Sequence, residues 1–423
     1  MTRQRRDAAG TWLLGGVAAL CIAAIVALLL QLCAAGLAPF WPAPIDELQL
    51  RDGRVLLGEI VASERDALAI RTSETVRIGD AYQRVARTDL RAIVTPIDAV
   101  AITLADGRVL FARDAAGADA AIAALRSAGG VTAPLEVVRP NASGVFARVG
   151  VFAGRLGRFL GTAPVASNLA GGVLPALLGT LILVLLMSVI VMPFGVATAL
   201  HLHRRRGFGA RWVRHAITTL AGIPSIVYGV LGLGLFVHGF GAGIDRLLFA
   251  ERLPVPTFGS GGLLWAALTL ALLTLPVVVV SVEQGLARIP ASLSEGSLAL
   301  GATREETLWR LLLPAARPAL LTGLILAIAR GAGAVAPLML VGVVKLTSAP
   351  PVDEAFPYLH PSRQFMHLGF EIYDAALASS DAIRGVPRAY ACAALLVGIV
   401  IVLNLSAILL RNRLRDRYRA LDT

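Results

Sequence analysis

The sequence contains almost no lysine. Lys345 is the single lysine among 39 basic residues, so arginine supplies nearly all of the positive charge. A nucleotide-binding P-loop needs a glycine-rich loop that ends in lysine and then serine or threonine. Lys345 instead follows two valines and precedes Leu346. The chain therefore carries no P-loop, and any process that ATP drives through this protein needs a second chain to hydrolyse the nucleotide.

Cysteine and histidine are also scarce. Cys21, Cys33 and Cys392 lie in apolar stretches without metal-ligand spacing, and we interpret them as small packing residues. Three of the six histidines fall between residues 201 and 215, beside arginines and without a carboxylate arranged for a metal site or a proton relay. We expect no metal, no cofactor and no catalytic residue, so the chain is not predicted to be an enzyme.

Charged residues are few for a chain of this length. Only 16% of the 423 residues are charged and 56% are hydrophobic, with a mean hydropathy of +0.72. That balance is typical of an all-α polytopic membrane protein rather than a soluble one. The formal charge of +11 could suggest a nucleic-acid partner, but no such motif is present. Basic clusters that flank apolar runs account for the charge more simply, and the expected surroundings are membrane lipid.

Six apolar runs are long enough to cross a bilayer, because a span needs about 20 apolar residues. We predict membrane helices near residues 12–38, 169–202, 213–240, 261–287, 318–344 and 388–411. The basic clusters all fall on one side, which the positive-inside rule makes cytoplasmic, so both termini are predicted to be cytoplasmic. The first run exceeds the about 7–15 residues of a signal-peptide core, which favours an uncleaved span over a removed signal.

Residues 42–166 have a different character. Apolar residues alternate around Asp52-Gly53, and the same pattern recurs around Asp106-Gly107. Alternation around Asp-Gly predicts β-hairpins with type I′ turns, in which both central residues have positive φ. With a helix near Ala115–Ser127, this predicts a small β-rich insert on the periplasmic side. Its arginines are balanced by acids, which favours a solvated surface over an anion site.

These patterns divide the chain into four predicted parts. Residues 1–41 form a cytoplasmic N-terminus and the first membrane helix, and 42–166 form the insert. Residues 167–415 form the main membrane domain, with a polar loop at 288–317, and 416–423 form a cytoplasmic tail.

The polar stretch Glu295–Pro314 separates two apolar runs. Ser292 and Thr303 each stand three residues before a glutamate, which is the capping-box signal for the start of a helix. Gly301 lies between the two signals, where a helix C-cap places a residue with positive φ. The stretch therefore predicts a helix, a bend and a second helix in water. The plainer alternative is an ordinary amphipathic loop.

Arg330 is predicted to lie close to the middle of the fifth span. A charge there is costly, on the order of 3 kcal/mol or more, and such residues usually face an interior or a wet cavity. A guanidinium fits phosphate oxygens in a planar fork, which favours an anion pathway. The alternatives are a salt bridge within the chain or to another subunit, and a misplaced span. Ser225 and Tyr228 in the third span could line the same path or simply pack.

The spacing in the polar stretch resembles the coupling loop of ABC importer permeases. That family has E-A-A, three residues, G, nine residues and I-x-L-P. Glu295, Gly301, Leu313 and Pro314 fall in register with it. The departures are aliphatic or small replacements, at Gly296, Ser297 and Leu311. The resemblance implies that this loop docks on an ATPase subunit.

Further motifs resemble the PstA-type permease of bacterial phosphate ABC importers. They are G-I-P-S-I-V-Y-G at 222–229, Ala329-Arg330 followed by Gly333 and Ala336-Pro337-Leu338, and F-M-H-L-G-F-E-I-Y-D at 365–374. The resemblance covers about residues 167–415. It implies phosphate as the solute and a bacterial inner-membrane location. The implied partners are a PstC-type permease, a dimer of PstB-type ATPases and a periplasmic phosphate-binding protein.

One departure from the family pattern concerns the surroundings of Arg330. The family has a glutamate four residues after the arginine, and here that position is Ala334. An Arg–Glu pair at this spacing could share one helix face. We therefore hypothesise that Arg330 is left for an anion or pairs with the partner permease. Two alternative functions stay open: a permease for another oxyanion or small solute, and a membrane-anchored sensor or scaffold whose external domain does the work.

Overall fold

A computed structural model describes residues 2–63, 65–73, 82–105, 107–127, 134–165, 170–205, 207–347, 349–379 and 382–419. Asp106, in the second predicted hairpin, lies outside the described residues. The chain forms two compact units. The first comprises the residues up to Leu174 together with Ile372–Ala394, and the second comprises Pro175–Glu371 together with the chain from Leu395 onward.

Helices dominate the described part of the chain, as the composition predicts. In chain order they are α1 (Thr2–Leu37), α2 (Ala115–Ser127), α3 (Val145–Gly161), α4 (Leu174–Arg204), α5 (Phe208–Gly222), α6 (Ser225–Leu231), α7 (Ala242–Leu248), α8 (Leu263–Ala287), α9 (Ala291–Ala299), α10 (Arg304–Glu306), α11 (Leu313–Ala315), α12 (Arg317–Ala332), α13 (Ala336–Val341), α14 (Leu368–Tyr373) and α15 (Ala382–Arg419). Three π-helical stretches extend this set: Gly232–Gly241 joins α6 to α7, Thr307–Leu312 joins α10 to α11, and Asp374–Ala378 follows α14.

The strands of the described residues all belong to the first unit. They are β1 (Asp46–Leu50), β2 (Val55–Ser63), β3 (Ala67–Arg71), β4 (Tyr82–Ala86), β5 (Leu90–Val94), β6 (Val100–Leu104), β7 (Val109–Ala112), β8 (Pro134–Val138), β9 (Pro164–Val165) and β10 (Ala170–Gly171). An antiparallel five-stranded sheet has the order β4-β3-β2-β1-β5, and a three-stranded sheet has the order β7-β6-β8. Alternate apolar side chains such as Leu48, Ile70 and Ile102 are fully buried. The predicted β-rich character of this segment is confirmed.

The turn of the β1–β2 hairpin differs from the predicted type. Gly53 has φ +86°, but Asp52 does not have a positive φ, so the turn is not type I′. The Gly53 N–H donates to the Leu50 carbonyl, and the Leu50 N–H donates to the Arg54 carbonyl. That pattern is a type I turn followed by a left-handed glycine, which lets an ordinary aspartate occupy the turn without strain.

Five helices among the described residues are long and apolar enough to cross a membrane. They are Leu14–Phe40, Leu174–Arg204, Ser225–Leu248, Leu263–Ala287 and Ile383–Leu410. A sixth span results if Arg304–Ala315 and Arg317–Ala332, which meet at an angle of 62°, count as one. The prediction of about six membrane helices is therefore confirmed by length and composition.

Two of the predicted spans are interrupted. The third was predicted as 213–240, but α5 ends at Gly222 and a new helix begins at Ser225. Pro224 causes this break because it excludes Ile223 from helical backbone angles, and Ile223 is extended with ψ 133°. The fifth was predicted as 318–344, but it breaks between Ala332 and Ala336.

Small residues let α8 and α12 pack closely in the second unit. A Cβ added to Gly285 would stand 2.0 Å from the Cβ of Ala319, so a side chain there would push the two helices apart. The Ser281 hydroxyl donates to the Ala319 carbonyl at 3.2 Å. Close approach through small residues is the usual way in which membrane helices gain packing energy. The polar loop between these helices is thereby held at both ends by a tightly packed pair.

The segment that begins at Phe365 is buried in the second unit. Phe365, His367 and Leu368 are fully buried, and Glu371 is 2% exposed. The hydroxyl of Thr180 in α4 accepts the N–H of Leu368 at 2.9 Å. In the second unit this segment therefore packs against a membrane helix instead of lying on the surface.

A loop just before this segment is held by one aspartate. Asp353 accepts hydrogen bonds from His360 Nε2 at 2.8 Å, from the Ala355 N–H at 3.0 Å and from the guanidinium of Arg363. Arg363, and then His360, lower the pKa of Asp353 to about 2.

The same loop caps a membrane helix. The carbonyls of Pro361 and Arg363 accept the N–H groups of Leu264 and Leu263, at 2.8 and 3.0 Å. These N–H groups lie in the first turn of α8 and have no partner within the helix. The loop therefore supplies hydrogen-bond acceptors to the first N–H groups of α8, in addition to the bonds that hold the loop itself.

We predict that Asp353→Asn loosens this loop. A neutral amide loses the charge-assisted contact to Arg363, so proteases should reach the exposed Phe356 and Tyr358 several times faster than in the wild type. Because the pKa is lowered, the clamp is present above the ordinary value of 3.8 and is lost as the pH falls towards 2. Pepsin cleavage of the wild type should therefore accelerate between pH 4 and pH 2.

The matched control is Glu354→Gln, which removes an adjacent exposed carboxylate. If Asp353→Asn is cleaved no faster than Glu354→Gln, the clamp does not hold the loop.

Candidate functional site

The polar stretch between α8 and α12 forms the predicted helix, bend and helix. Its first helix, α9, begins directly after Pro290, whose ψ of 135° is extended. Ser292 therefore lies inside the first turn, and the predicted capping box of Ser292 with Glu295 is wrong. Proline at the boundary starts the helix two residues earlier than the S-x-x-E signal suggested. Glu295 is exposed on α9.

Gly301 forms the bend as predicted. Its φ is +84°, and a Cβ added there would meet nothing within 4 Å, so the backbone conformation alone demands glycine. The Gly301 N–H donates to the Leu298 carbonyl at 3.0 Å, and the Ala302 N–H donates to the Ser297 carbonyl at 3.2 Å. These two bonds are a Schellman motif, which satisfies the last carbonyls of α9 and sets the angle at which the chain leaves it.

The second capping box is confirmed. The Thr303 hydroxyl accepts the Glu306 N–H at 3.2 Å, and the Glu306 carboxylate accepts the Thr303 N–H at 2.9 Å. Both bonds satisfy N–H groups that the start of a helix leaves without partners. The chain therefore passes from one capped helix into another with only Gly301 and Ala302 between the C-cap and the N-cap.

Contacts that the sequence did not reveal brace this helix pair. The Ser297 and Thr307 hydroxyls are 2.9 Å apart, which joins α9 to the helix that follows. Arg204, at the end of α4, donates to Glu305 at 2.7 Å. Leu308 is buried and belongs to the core formed by α4, α8 and α12. The missed Arg204–Glu305 pair had no sequence signal, because its partners are far apart in the chain.

The helix pair presents apolar side chains outward. Leu300, beside the bend, is 91% exposed, and Leu293 and Leu298 on α9 are also exposed. Exposed leucines beside a charged glutamate on a short rigid helix are typical of a surface that another protein covers.

Leu313 and Pro314 lie at the far end of the same segment. Both are half-buried, and Leu313 packs against the core of the second unit. Pro314 offers no N–H to the preceding turn, and the stretch before it, Thr307–Leu312, is π-helical. The chain then bends by 62° into α12. Glu295 and Gly301 thus lie at the exposed end of this segment, and Leu313 and Pro314 at its buried end.

Arg330 lies in the last turn of α12, directly before the helix break. Its side chain is exposed, and none of the ion pairs among the described residues includes it. α12 ends at Ala332, and Ala334 follows its C-cap residue Gly333. Because Ala334 carries no carboxylate, it offers Arg330 no partner for the i,i+4 pairing considered from the sequence.

Tyr228 and Ser225 lie on the first turns of α6. The charge of Arg330 acts electrostatically on Tyr228, so the structure brings these two predicted residues near each other. Tyr228 is 1% exposed, and its hydroxyl donates to the Leu220 carbonyl at 2.5 Å, which ties α6 to the end of α5. Ser225 is exposed at the start of α6. Gly229 approaches Pro337 closely, so α6 packs on α13 beside the break that follows Arg330.

Asp245, which the sequence analysis did not single out, is a buried carboxylate near the other end of the span Ser225–Leu248. Asp245 in α7 is 1% exposed and accepts the N–H groups of Thr257, Phe258 and Gly259 at 2.7–2.9 Å. Its signal was an acid at the end of an apolar run that precedes a Pro- and Gly-rich loop. Among the described residues, no group of three His, Cys, Asp or Glu side chains is placed to hold a metal ion.

Comparison with known proteins gives curated relatives that are named as transport permeases. The chain is 33% identical over 198 residues to the probable ABC transporter permease protein YqgH of Bacillus subtilis, covering 45% of this chain and 59% of the relative. It is 37% identical over 175 residues to the phosphate transport system permease protein PstA 1 of Mycobacterium tuberculosis, covering 41% and 52%. It is 32% identical over 175 residues to the phosphate transport system permease protein PstC of Pasteurella multocida, covering 38% and 53%.

The chain thus spans between half and three fifths of the length of these curated relatives. A family model described as "Binding-protein-dependent transport system inner membrane component" matches residues 191–420, which is more than half of the chain. The matched range contains the helix pair around Gly301, Arg330 and the first turns of α6. The chain belongs to the family of binding-protein-dependent transport system inner membrane components.

Proposed function

We propose that this chain is a PstA-type permease subunit of an ATP-driven phosphate importer. The observation that carries the proposal is the rigid helix pair around Gly301, which exposes Leu300 and Glu295 at one end and is packed into the membrane core at the other. Relatives whose names include phosphate transport permeases support the choice of solute. The first alternative is a permease for another oxyanion or small solute. The second is a membrane-anchored sensor or scaffold, which the observations favour less.

In this proposal the helix pair transmits the movement of an ATPase. A cleft of a PstB-type ATPase dimer receives α9 through Glu295 and the exposed leucines, and Gly301 sets the angle of α9 to the following helix. Since the segment from Arg304 bends directly into α12, displacement of α9 moves the helix that carries Arg330. From Arg317 to Arg330, α12 is about 20 Å long at about 1.5 Å per residue.

The proposed anion route passes the break between α12 and α13. An exposed guanidinium within a membrane domain is tolerated where it faces a wet cavity, and its planar fork matches two phosphate oxygens. Tyr228 and Ser225 are the nearby hydroxyl-bearing residues that we assign to the same route. Tyr228 already donates its proton to Leu220, so its oxygen can only accept a further bond.

The family and the names of the relatives support the proposed assembly and location. A PstC-type permease completes the pathway, and a periplasmic phosphate-binding protein delivers the solute. We place the chain in a bacterial inner membrane with both termini cytoplasmic and the 42–166 insert in the periplasm. Residues 1–41 and 167–415 then provide the membrane helices, with 416–423 as the cytoplasmic tail. The chain itself hydrolyses nothing.

We predict that Gly301→Ala uncouples transport from ATP hydrolysis. An alanine at this positive φ costs about 1–2 kcal/mol and shifts the angle of α9. In the reconstituted complex, uptake per ATP hydrolysed should fall several-fold. Gly296→Ala is the control, since Gly296 also has open space around it but lacks a positive φ. Equal coupling in the two variants would contradict the assigned role of the bend.

We predict that Arg330→Ala abolishes uptake while the complex still assembles. The anion loses its positive partner, whereas the exposed side chain has little part in packing. Arg330→Lys should retain a small fraction of uptake, because it keeps the charge but loses the fork. Uptake in vesicles and the yield of copurified complex are the two measurements. Parallel loss of both would indicate a structural residue.

The solute is tested by competition. In cells that depend on this chain for uptake, labelled phosphate should enter, and excess arsenate should reduce that entry because it matches phosphate in shape and charge. Excess sulfate should leave it unchanged. Labelled sulfate that enters in place of phosphate would exclude the proposed solute but would leave the coupling role of Gly301 standing.

A further inference from the structure

A groove in the second unit runs alongside the cytoplasmic half of α4. It has a volume of about 750 Å³, which lies within the usual range for ligand sites. Its walls come from α4 and from the segment that follows the bend at Gly301, with Met192 and Ala197 on one side and Leu313 and Leu320 on the other. The groove is distinct from the Arg330 route, since Arg330, Tyr228 and Ser225 do not line it.

The groove is apolar along its length and charged at one end. Arg204 and Arg205 lie at its rim together with Glu305. Two guanidinium groups and one carboxylate leave a net charge of +1 there. Trp309, which is 60% exposed, also lines the groove close to Glu305 in the chain. Tryptophan is enriched where hydrocarbon meets the lipid headgroups.

The dimensions of the groove match one leaflet. From Met192 to Arg204, α4 rises about 18 Å at about 1.5 Å per residue. Half of a bilayer core is about 15 Å thick, so a chain that starts at the arginines ends near the midplane beside Met192. The positive-inside rule places the arginine end in the cytoplasmic leaflet, where anionic lipids concentrate.

We propose that this groove binds one anionic phospholipid of the cytoplasmic leaflet. The phosphate lies at the rim against Arg205 and Arg204, and one acyl chain follows α4 to Met192. A single phosphodiester charge balances the net charge of the rim. The bound lipid then contacts both α4 and the segment that carries Glu305. It therefore reinforces the connection between α4 and the helix pair that the Arg204–Glu305 bond already makes.

Photolabelling tests the proposal in the complex that copurifies with this chain. In nanodiscs, phosphatidylglycerol with a diazirine on its acyl chain should label peptides around Met192–Leu200, and phosphatidylcholine with the same group should label them several-fold less. Ala197→Trp fills the groove from an exposed position on α4 and should lower labelling at least five-fold. Monodisperse elution of the complex shows that the variant has folded.

Arg205→Gln is the second variant, because its exposed side chain lies at the rim and not in the packed core. It should reduce phosphatidylglycerol retention several-fold and leave phosphatidylcholine unaffected. Arg211→Gln is the matched control, since Arg211 is an exposed arginine on α5 outside the groove.

Three labelling results would each overturn the proposal: equal labelling by the two lipids, equal labelling of Ala197→Trp and wild type, or labelled peptides that come from elsewhere. So would crosslinks from Ala197→Cys to a partner permease, because a protein helix would then fill the groove.

Discussion

Between α8 and α12 the chain must leave the apolar core, reverse in water and return without losing its rigidity. Helix ends in water lose their shape easily, because their terminal N–H and carbonyl groups have no partners within the helix. Here a Schellman motif closes α9 at Gly301 and a capping box opens the next helix at Thr303. With these groups satisfied, the angle between the two helices depends on the few residues between the caps, among which Gly301 has the positive φ that only glycine adopts easily.

The fixed angle between the two helices matters because the two ends of the segment lie in different surroundings. Its outer end exposes leucines that water does not favour, and its inner end bends into a helix packed closely on α8. In the proposed coupling, a push on the outer end would therefore move α12 instead of bending a loop. The Arg204–Glu305 pair and the Ser297–Thr307 contact restrict the segment further. A flexible linker of the same composition would dissipate the displacement.

Arg330, the cationic residue that we assign to the anion route, lies directly before the break between α12 and α13. α12 ends at Ala332, and the next helix, α13, begins at Ala336. Discontinuous membrane helices often mark solute sites, because their unwound backbone is tolerated only where it is buried in protein or lines a cavity. The close approach of Gly229 to Pro337 brings the start of α6 to the same place.

Local sequence predicted those features that depend on neighbouring residues. Gly301 and the box at Thr303 followed from i,i+3 signals, and the apolar runs followed from composition. Errors arose where proline competed with another local signal. Pro290 moved the start of α9 ahead of Ser292, and Pro224 divided a run that hydropathy alone joins. The type I′ prediction failed because a left-handed glycine after a type I turn uses the same Asp-Gly pair.

The sequence by itself determined the family, the membrane character and the position of the polar helix pair, since each depends on composition or on fixed spacing along the chain. Only the tertiary structure decided that Arg204 meets Glu305, that Asp245 closes its loop, that the segment after Phe365 is buried and that a groove runs beside α4. These features join residues that are distant in the chain. Their contacts depend on how whole helices pack, which short-range pattern does not encode.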